Sequence, residues 1–168
     1  LELHSSNAQL LQEVEERQKA QVNLRILSQA VRQSPVSIII TGLNGDIEYV
    51  NEAFTRTSGF SERQVLGKNP RILSAGQTPT ATYQQLWKTI SAGKDWVGEL
   101  YNRRQDGTLY WEHTYISPVL GDDNQITHFI SLKEDITEKR EQAAKIRYQA
   151  QFDALTDLPN RSLAIDRL

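Results

Sequence analysis

The stretch Trp96–Glu134, WVGELYNRRQDGTLYWEHTYISPVLGDDNQITHFISLKE, reads as three consecutive β-strands. Trp96–Arg103 is the first, and Gln105-Asp106-Gly107 supplies hairpin-turn chemistry. Leu109–Val119 is the second, Gly121–Asn124 a second turn, and Ile126–Glu134 the third. β-Branched and aromatic residues fill the runs, and Gly, Asp and Asn fill the breaks. Strand residues alternate between faces. In the second strand one face carries Trp111, His113 and Tyr115, the other Tyr110, Glu112, Thr114 and Ile116. In the third, one face carries Ile126, His128, Ile130 and Leu132, the other Thr127, Phe129, Ser131 and Lys133. Neither face is wholly polar, so both are expected to be covered. Short helices would cover one. A Leu24/Leu27/Val31 stripe from an N-terminal helix, or a partner subunit, would cover the other.

Upstream, Val36–Thr41 and Asp46–Val50 form a hairpin about Gly42–Gly45. Asn51 stands at a helix N-cap position before Glu52-Ala53-Phe54, and Gly59 stops that helix. Ser61 opens a short helix ended by Gly67, and Asn69-Pro70-Arg71 starts a single turn. Thr78-Pro79 begins a longer helix with Tyr83, Leu86, Trp87 and Ile90 on one face, ended by Gly93. Residues from about Ser5 to Gln33 lack Gly and Pro and read as helix. Leu3, Leu10, Val14 and Leu24 fit a heptad seam that Asn7, Arg17 and Gln21 interrupt, which leaves a short coiled coil or a single amphipathic helix open. At the other end Asp135-Ile136-Thr137-Glu138 has the form of a capping box, followed by a polar helix through about Gln151. The order is helix, two strands, short helices, three strands, helix. It predicts an α+β fold: an antiparallel sheet with helices on one face.

A content of 38% hydrophobic residues in 168 suffices for one core plus flanking helices. The formal net charge of −2, without a basic run, gives no footprint for nucleic acid or an anionic membrane. No apolar run approaches a bilayer span, and no leader pattern follows Leu1. The chain opens without Met, so the expectation is a piece of a longer protein; its lack of cysteine goes with an expected cytoplasmic location. The absence of cysteine excludes thiolate chemistry. His4, His113 and His128 have no metal-ligand spacing. His113 and His128 read as partly buried sheet residues. Glu112 and His113, adjacent on a strand, point to opposite faces and make no acid–base pair, so nothing marks this chain as an enzyme.

These residues, over about Leu24–Thr137, resemble the PAS domain family. The landmarks are Ser34-Pro35, Tyr49-Val50-Asn51 with Ala53-Phe54, Gly59-Phe60, and Val65-Leu66-Gly67. Asn69-Pro70-Arg71, Asn102-Arg103-Arg104 with Asp106-Gly107, and Asp135-Ile136-Thr137 complete the set. The resemblance implies a five-stranded antiparallel sheet cupping a small-molecule cavity. It also implies a homodimer formed through flanking helices and the outer sheet face. The segments are then 1–33, an N-terminal helix; 34–137, the PAS domain; 138–152, a linker helix; and 153–168, the start of a further domain. That last part is similar to the entry segment of GGDEF diguanylate cyclase domains, through Asp153, Leu155-Thr156, Leu158-Pro159-Asn160 and Arg161. It implies a bacterial cyclic-diguanylate signalling protein as parent, a diguanylate cyclase, a cyclic-diguanylate phosphodiesterase or both.

Leu66–Ser74, Tyr83–Trp87 and Trp96–Tyr110 are similar to the FAD-binding, redox-sensing PAS domains of nitrogen-fixation regulators. The resemblance implies Asn69, Arg71, Ser74, Trp87, Asn102 and Glu112 as cofactor-binding residues. The unbroken path from the strand Ile126–Glu134 through Asp135, Ile136 and Thr137 into the following helix makes those three the expected signal relay. Asn102 would face inward with Leu100 and Gly98, where Gly98 leaves room for a ring. Trp87 would line the mouth, and Arg71 would reach phosphates. Pro70 stands where the redox sensors have an acidic residue and the light sensors a reactive cysteine. Lys133 stands where the light sensors have a glutamine. Haem is disfavoured, because Thr78–Ala92 holds no histidine. FAD, an unknown small molecule, or a cofactor-free dimerisation and spacing module remain the readings.

Overall fold

A computed structural model describes residues 2–152 and the side chains from Asn7 onwards, together with Ser6. The N-terminal helix α1 (Glu2–Gln33) leads into strands β1 (Ser37–Gly42) and β2 (Ile47–Val50). Two short helices follow, α2 (Glu52–Ser58) and α3 (Glu62–Val65), then a 3-10 turn over Pro70–Leu73 and helix α4 (Thr80–Ser91). Strands β3 (Trp96–Arg103), β4 (Leu109–Leu120) and β5 (Ile126–Asp135) run into α5 (Thr137–Gln151). The five strands form one antiparallel sheet in the order β2-β1-β5-β4-β3. The expected α+β class and strand set are present. The GGDEF-like segment lies outside the described residues.

Local chemistry sets the turns. Asn51 Oδ1 accepts from the backbone N–H of Phe54 at 3.1 Å, capping α2. Gly59 ends that helix at φ 78°, a left-handed conformation that side chains resist. Ser61 and Gln64 form a reciprocal capping box on α3.

The helices between β2 and β3 lie on one face of the sheet and build two apolar clusters. Ile39, Ile47, Val50, Phe54, Val65 and Leu73 pack beneath α2 and α3. Leu86 and Ile90, four residues apart on α4, pack with Trp96, Leu100, Ile116 and Phe129. Each such side chain, fully buried, contributes about 1.5–3 kcal/mol. A cavity lies on this inner face of the sheet, under α4.

The other face is not covered by the N-terminal helix, the first of the two expected covers. Leu24 and Leu27 are exposed and do not cover the sheet, and Val97, Val119 and Leu132 are exposed on it. α1 is tied to the body at its C-terminal end, where the Val31 carbonyl accepts from Asn51 Nδ2 at 3.1 Å. His113 is also exposed, not partly buried, because its neighbours on β3 and β5, Glu99 and Glu134, share this open face. His128 is half-buried and sits 3.2 Å from Glu48.

The start of α5 is built differently from a capping box. Asp135 Oδ1 accepts from the Thr137 backbone N–H at 3.0 Å and from its hydroxyl at 2.7 Å. Glu138 does not reach back; it accepts from Gln142 one turn on, at 3.0 Å. The second Asp135 oxygen is free for Arg104, with which it forms an ion pair.

Candidate ligand cavity and its polar floor

The cavity encloses about 550 Å³, within the range of small-molecule sites. Its walls are apolar: Leu86 and Ile90 from α4, Leu100 from β3, Ile116 from β4 and Phe129 from β5. Trp87 stands at the mouth, 38% exposed, with its ring edge-to-face against Phe129 at 6.1 Å. Gly45, at φ 79°, lies opposite: a Cβ there would come within 3.1 Å of the Trp87 ring and 2.8 Å of Asn69 Nδ2. The glycine therefore gives both the turn and the clearance for the indole.

The residues from Asn69 to Ser74 form the rim. Asn69 Oδ1 accepts from the Arg71 backbone N–H at 3.1 Å and from Arg71 Nε at 3.3 Å, which holds the guanidinium at the entrance. Ser74 pairs with the Asn102 backbone, and its hydroxyl lies 3.3 Å from the Tyr83 hydroxyl. The Asn69–Ser74 segment is thereby stitched to β3 and α4.

The inner end is polar and closed. Asn102, Ser131 and Lys133 border the cavity from β3 and β5 and are all buried. Behind them lies Glu112, 2% exposed. Its Oε1 accepts from Lys133 Nζ at 2.6 Å, Asn102 Nδ2 at 3.0 Å and Thr114 Oγ1 at 3.0 Å. Its Oε2 accepts from the Tyr110 hydroxyl at 3.1 Å. A buried carboxylate needs such a full set of donors. Burial, and then the Glu112 charge, push the Tyr110 hydroxyl far above the ordinary tyrosine value, so it stays protonated and donates.

This floor continues toward the exit helix. Arg104 lies 4.3 Å over the Tyr110 ring, donates to the Thr57 carbonyl at the end of α2, and pairs with Asp135. Glu112 and Asp135 are direct cross-strand partners. Burial by itself raises the Asp135 carboxyl, but hydrogen bonds from Arg104 and Thr137 outweigh it and hold it below the ordinary aspartate value. The backbone of Trp111 clasps Ile136 and Thr137: Ile136 N–H donates to the Trp111 carbonyl at 2.9 Å, and the Thr137 hydroxyl accepts from the Trp111 N–H at 2.9 Å.

Of the residues named from sequence, Asn69, Arg71, Ser74, Trp87 and Asn102 converge on this cavity. Glu112 sits one layer behind its wall, reached through Asn102 and Lys133. Gly98 differs from expectation. A Cβ on it would fall 2.5 Å from the Trp96 ring, so the space it vacates is filled by the protein's own indole, not by a ligand. Lys133 was not among the candidate site residues, although it borders the cavity. The alternation Phe129-Ser131-Lys133 was its signal, since it sets the lysine on one face with Phe129, which lines the cavity. Among the described residues no group of His, Asp and Glu side chains is arranged to hold a metal ion.

A profile of the PAS domain family matches residues 35–138, and the chain belongs to that family. It is 39% identical over 107 residues to a nitrogen fixation regulatory protein of Klebsiella oxytoca, a match spanning 64% of this chain and 22% of the relative. It is 27% identical over 117 residues to blue-light-activated histidine kinase 1 of Erythrobacter litoralis, covering 68% of this chain and 32% of the kinase. Among solved structures, an RNA-binding light-oxygen-voltage receptor superposes with a TM-score of 0.68 at 29% identity, over 74% of this chain and 36% of that one. The LOV domain of an Erythrobacter litoralis blue-light-activated histidine kinase gives 0.59 at 28% identity, over 62% of this chain and 99% of that one. The chain thus spans only about a fifth of the length of the Klebsiella regulator. These comparisons make it a sensory, non-catalytic PAS module.

Proposed function

We propose that this chain is the ligand-sensing input module of a longer regulatory protein, with the ring of FAD in the cavity. The carrying observation is a 550 Å³ apolar slot that ends on buried polar groups and opens beside an arginine. The residues present fit a flavin nucleotide. Leu86, Ile90, Leu100, Ile116 and Phe129 offer a flat apolar clasp, Asn102 supplies donor and acceptor at the closed end, and Arg71 suits phosphates at the open end. Likeness to nitrogen-fixation regulators supports FAD in particular. Bound FAD supplies redox chemistry; the chain binds, orients and reports it. A cofactor-free spacing module would instead fill the cavity with side chains.

Purified protein tests this reading by its visible spectrum, with FAD added back where the protein is colourless. The expected result is flavin absorption that bleaches on dithionite and returns in air, with FAD released on denaturation. A protein that neither carries nor takes up FAD contradicts it. With no cysteine in the chain, illumination produces no cysteinyl adduct.

The same reading makes β5 the output strand. Asn102 and Lys133 meet the ligand and share Glu112, and the floor runs through Tyr110 and Arg104 to Asp135 and α5. The output domain beginning near Asp153 is proposed as a diguanylate cyclase domain, on its sequence motif. Two copies would pair through the exposed apolar residues of α1 and the bare sheet face, in the cytoplasm. No helix of the described residues is long and apolar enough to cross a membrane.

Asp135 gives this route a test with a defined pH sign. Its carboxyl is depressed in the folded state, so it stabilises the fold above the ordinary value of 3.8. That contribution fades as pH falls through the depressed value. Asp135→Asn is expected to cost about 1 kcal/mol at neutral pH. The gap to wild type should narrow in acid unfolding titrations. In the full-length parent the variant should lose signal dependence. Normal signal response in that variant would remove Asp135 from the route.

A further inference from the structure

Lys133 is placed where a cation is costly. Its side chain is 5% exposed, and it meets one protein acceptor, Glu112 Oε1 at 2.6 Å. An ammonium carries three donors, and the other two have no acceptor among the described residues. Buried donors left unpaired are unfavourable, and a buried ion pair is in itself a weak source of stability. The two members of the pair are also placed unequally. Lys133 borders the cavity, whereas Glu112 is sealed behind the wall and saturated by Lys133, Asn102, Thr114 and Tyr110. The inner end of the cavity therefore presents an ammonium with donors to spare, its counter-charge lying behind the wall.

We propose that Lys133 is the specificity-determining residue of this site: it binds the acceptor edge of a flat heteroaromatic ligand and sets that ligand's redox poise. This rests on the flavin reading above. An oxidised ring that takes up two electrons and one proton gains one negative charge. A fixed ammonium at the closed end favours that charged form. A low-potential donor must supply the electrons; dithionite does so in the test. Asn102 gives a neutral donor and acceptor beside Lys133, so the ring retains an oriented contact when the charge is removed.

The test uses the whole chain loaded with FAD and measures the midpoint potential by reductive titration against a reference dye. Lys133→Gln keeps a donor and loses the charge. It should retain FAD and shift the potential negative by about 30 mV or more, a tenfold change for a two-electron couple. Lys133→Met loses the donor too, and should also bind FAD about tenfold more weakly. Should Lys133→Gln fail to fold with Glu112 left uncompensated, the Glu112→Gln/Lys133→Gln double variant carries the same test. Its potential should fall by a smaller amount, because the nearer of two opposite charges is the cation. A flavin-loaded variant with unchanged potential overturns the role of Lys133 and leaves the flavin reading standing. Wild-type protein without FAD, and unable to bind it, overturns that reading and this one with it.

Discussion

Glu112→Ala is expected to lower the stability of the domain by about 3–5 kcal/mol, because it strands Lys133 as an uncompensated buried cation. The charge is only part of the loss. Asn102 Nδ2, Thr114 Oγ1 and the Tyr110 hydroxyl all donate to this carboxylate, and alanine leaves each without its acceptor. The second variant separates the two parts. Glu112→Ala combined with Lys133→Met removes the stranded charge and should recover a portion of the stability, but not the portion owed to the three neutral donors. Glu112→Gln keeps one acceptor oxygen and should cost less than alanine. Urea unfolding of the four proteins gives the ranking. A loss below about 1 kcal/mol for Glu112→Ala would mean that water replaces the carboxylate, and that the floor is wetter than its burial indicates.

Asn51→Ala is expected to cost about 3 kcal/mol, well above an ordinary helix cap. Asn51 is 2% exposed and uses both ends of its amide. Its oxygen accepts from the N–H groups of Ile38 at 2.9 Å and Phe54 at 3.1 Å. Its nitrogen donates to the carbonyls of Val31 at 3.1 Å and Val36 at 2.9 Å. One side chain thus joins the end of α1, the entry to β1 and the start of α2. Asn51→Asp keeps the acceptor and loses both donated bonds, setting a carboxylate against two carbonyls. It should loosen the junction of α1 while α2 remains capped. Amide exchange reports this as faster exchange near Val31 with Phe54 still protected. Equal stability of wild type and Asn51→Ala would contradict the role given to this residue.

The strand pattern was readable because each strand carries its own period-two alternation between turn residues. Trp96–Arg103 has the expected limits, and Tyr110, Glu112, Thr114 and Ile116, grouped on one face by alternation, are all buried. Asn51 as a cap was readable for the same reason: the signal is local. What failed was non-local. Whether an apolar stripe covers a sheet depends on where a helix travels beyond its anchored residues, and α1 is anchored near Val31. Gly98 suggested space, but which ring takes that space depends on the rotamer of Trp96. Asp135 suggested a capping box, but Arg104, distant in sequence, claims one oxygen and Thr137 the other. Lys133 and Glu112 are 21 residues apart and on different strands, so only the β4–β5 register brings them together.

In the proposed relay, the state of a cavity ligand reaches α5 through the floor formed by Lys133, Glu112, Tyr110 and Arg104. The most direct measurement is amide hydrogen exchange on the FAD-loaded protein, oxidised and then reduced, with Glu112→Gln as the comparison. Altered protection is expected on β5 and across the junction at Asp135–Thr137 in wild type, with a smaller change there in Glu112→Gln. Identical exchange over β5 and the first turn of α5 in both redox states, with any change confined to α4 and the cavity rim, would contradict it.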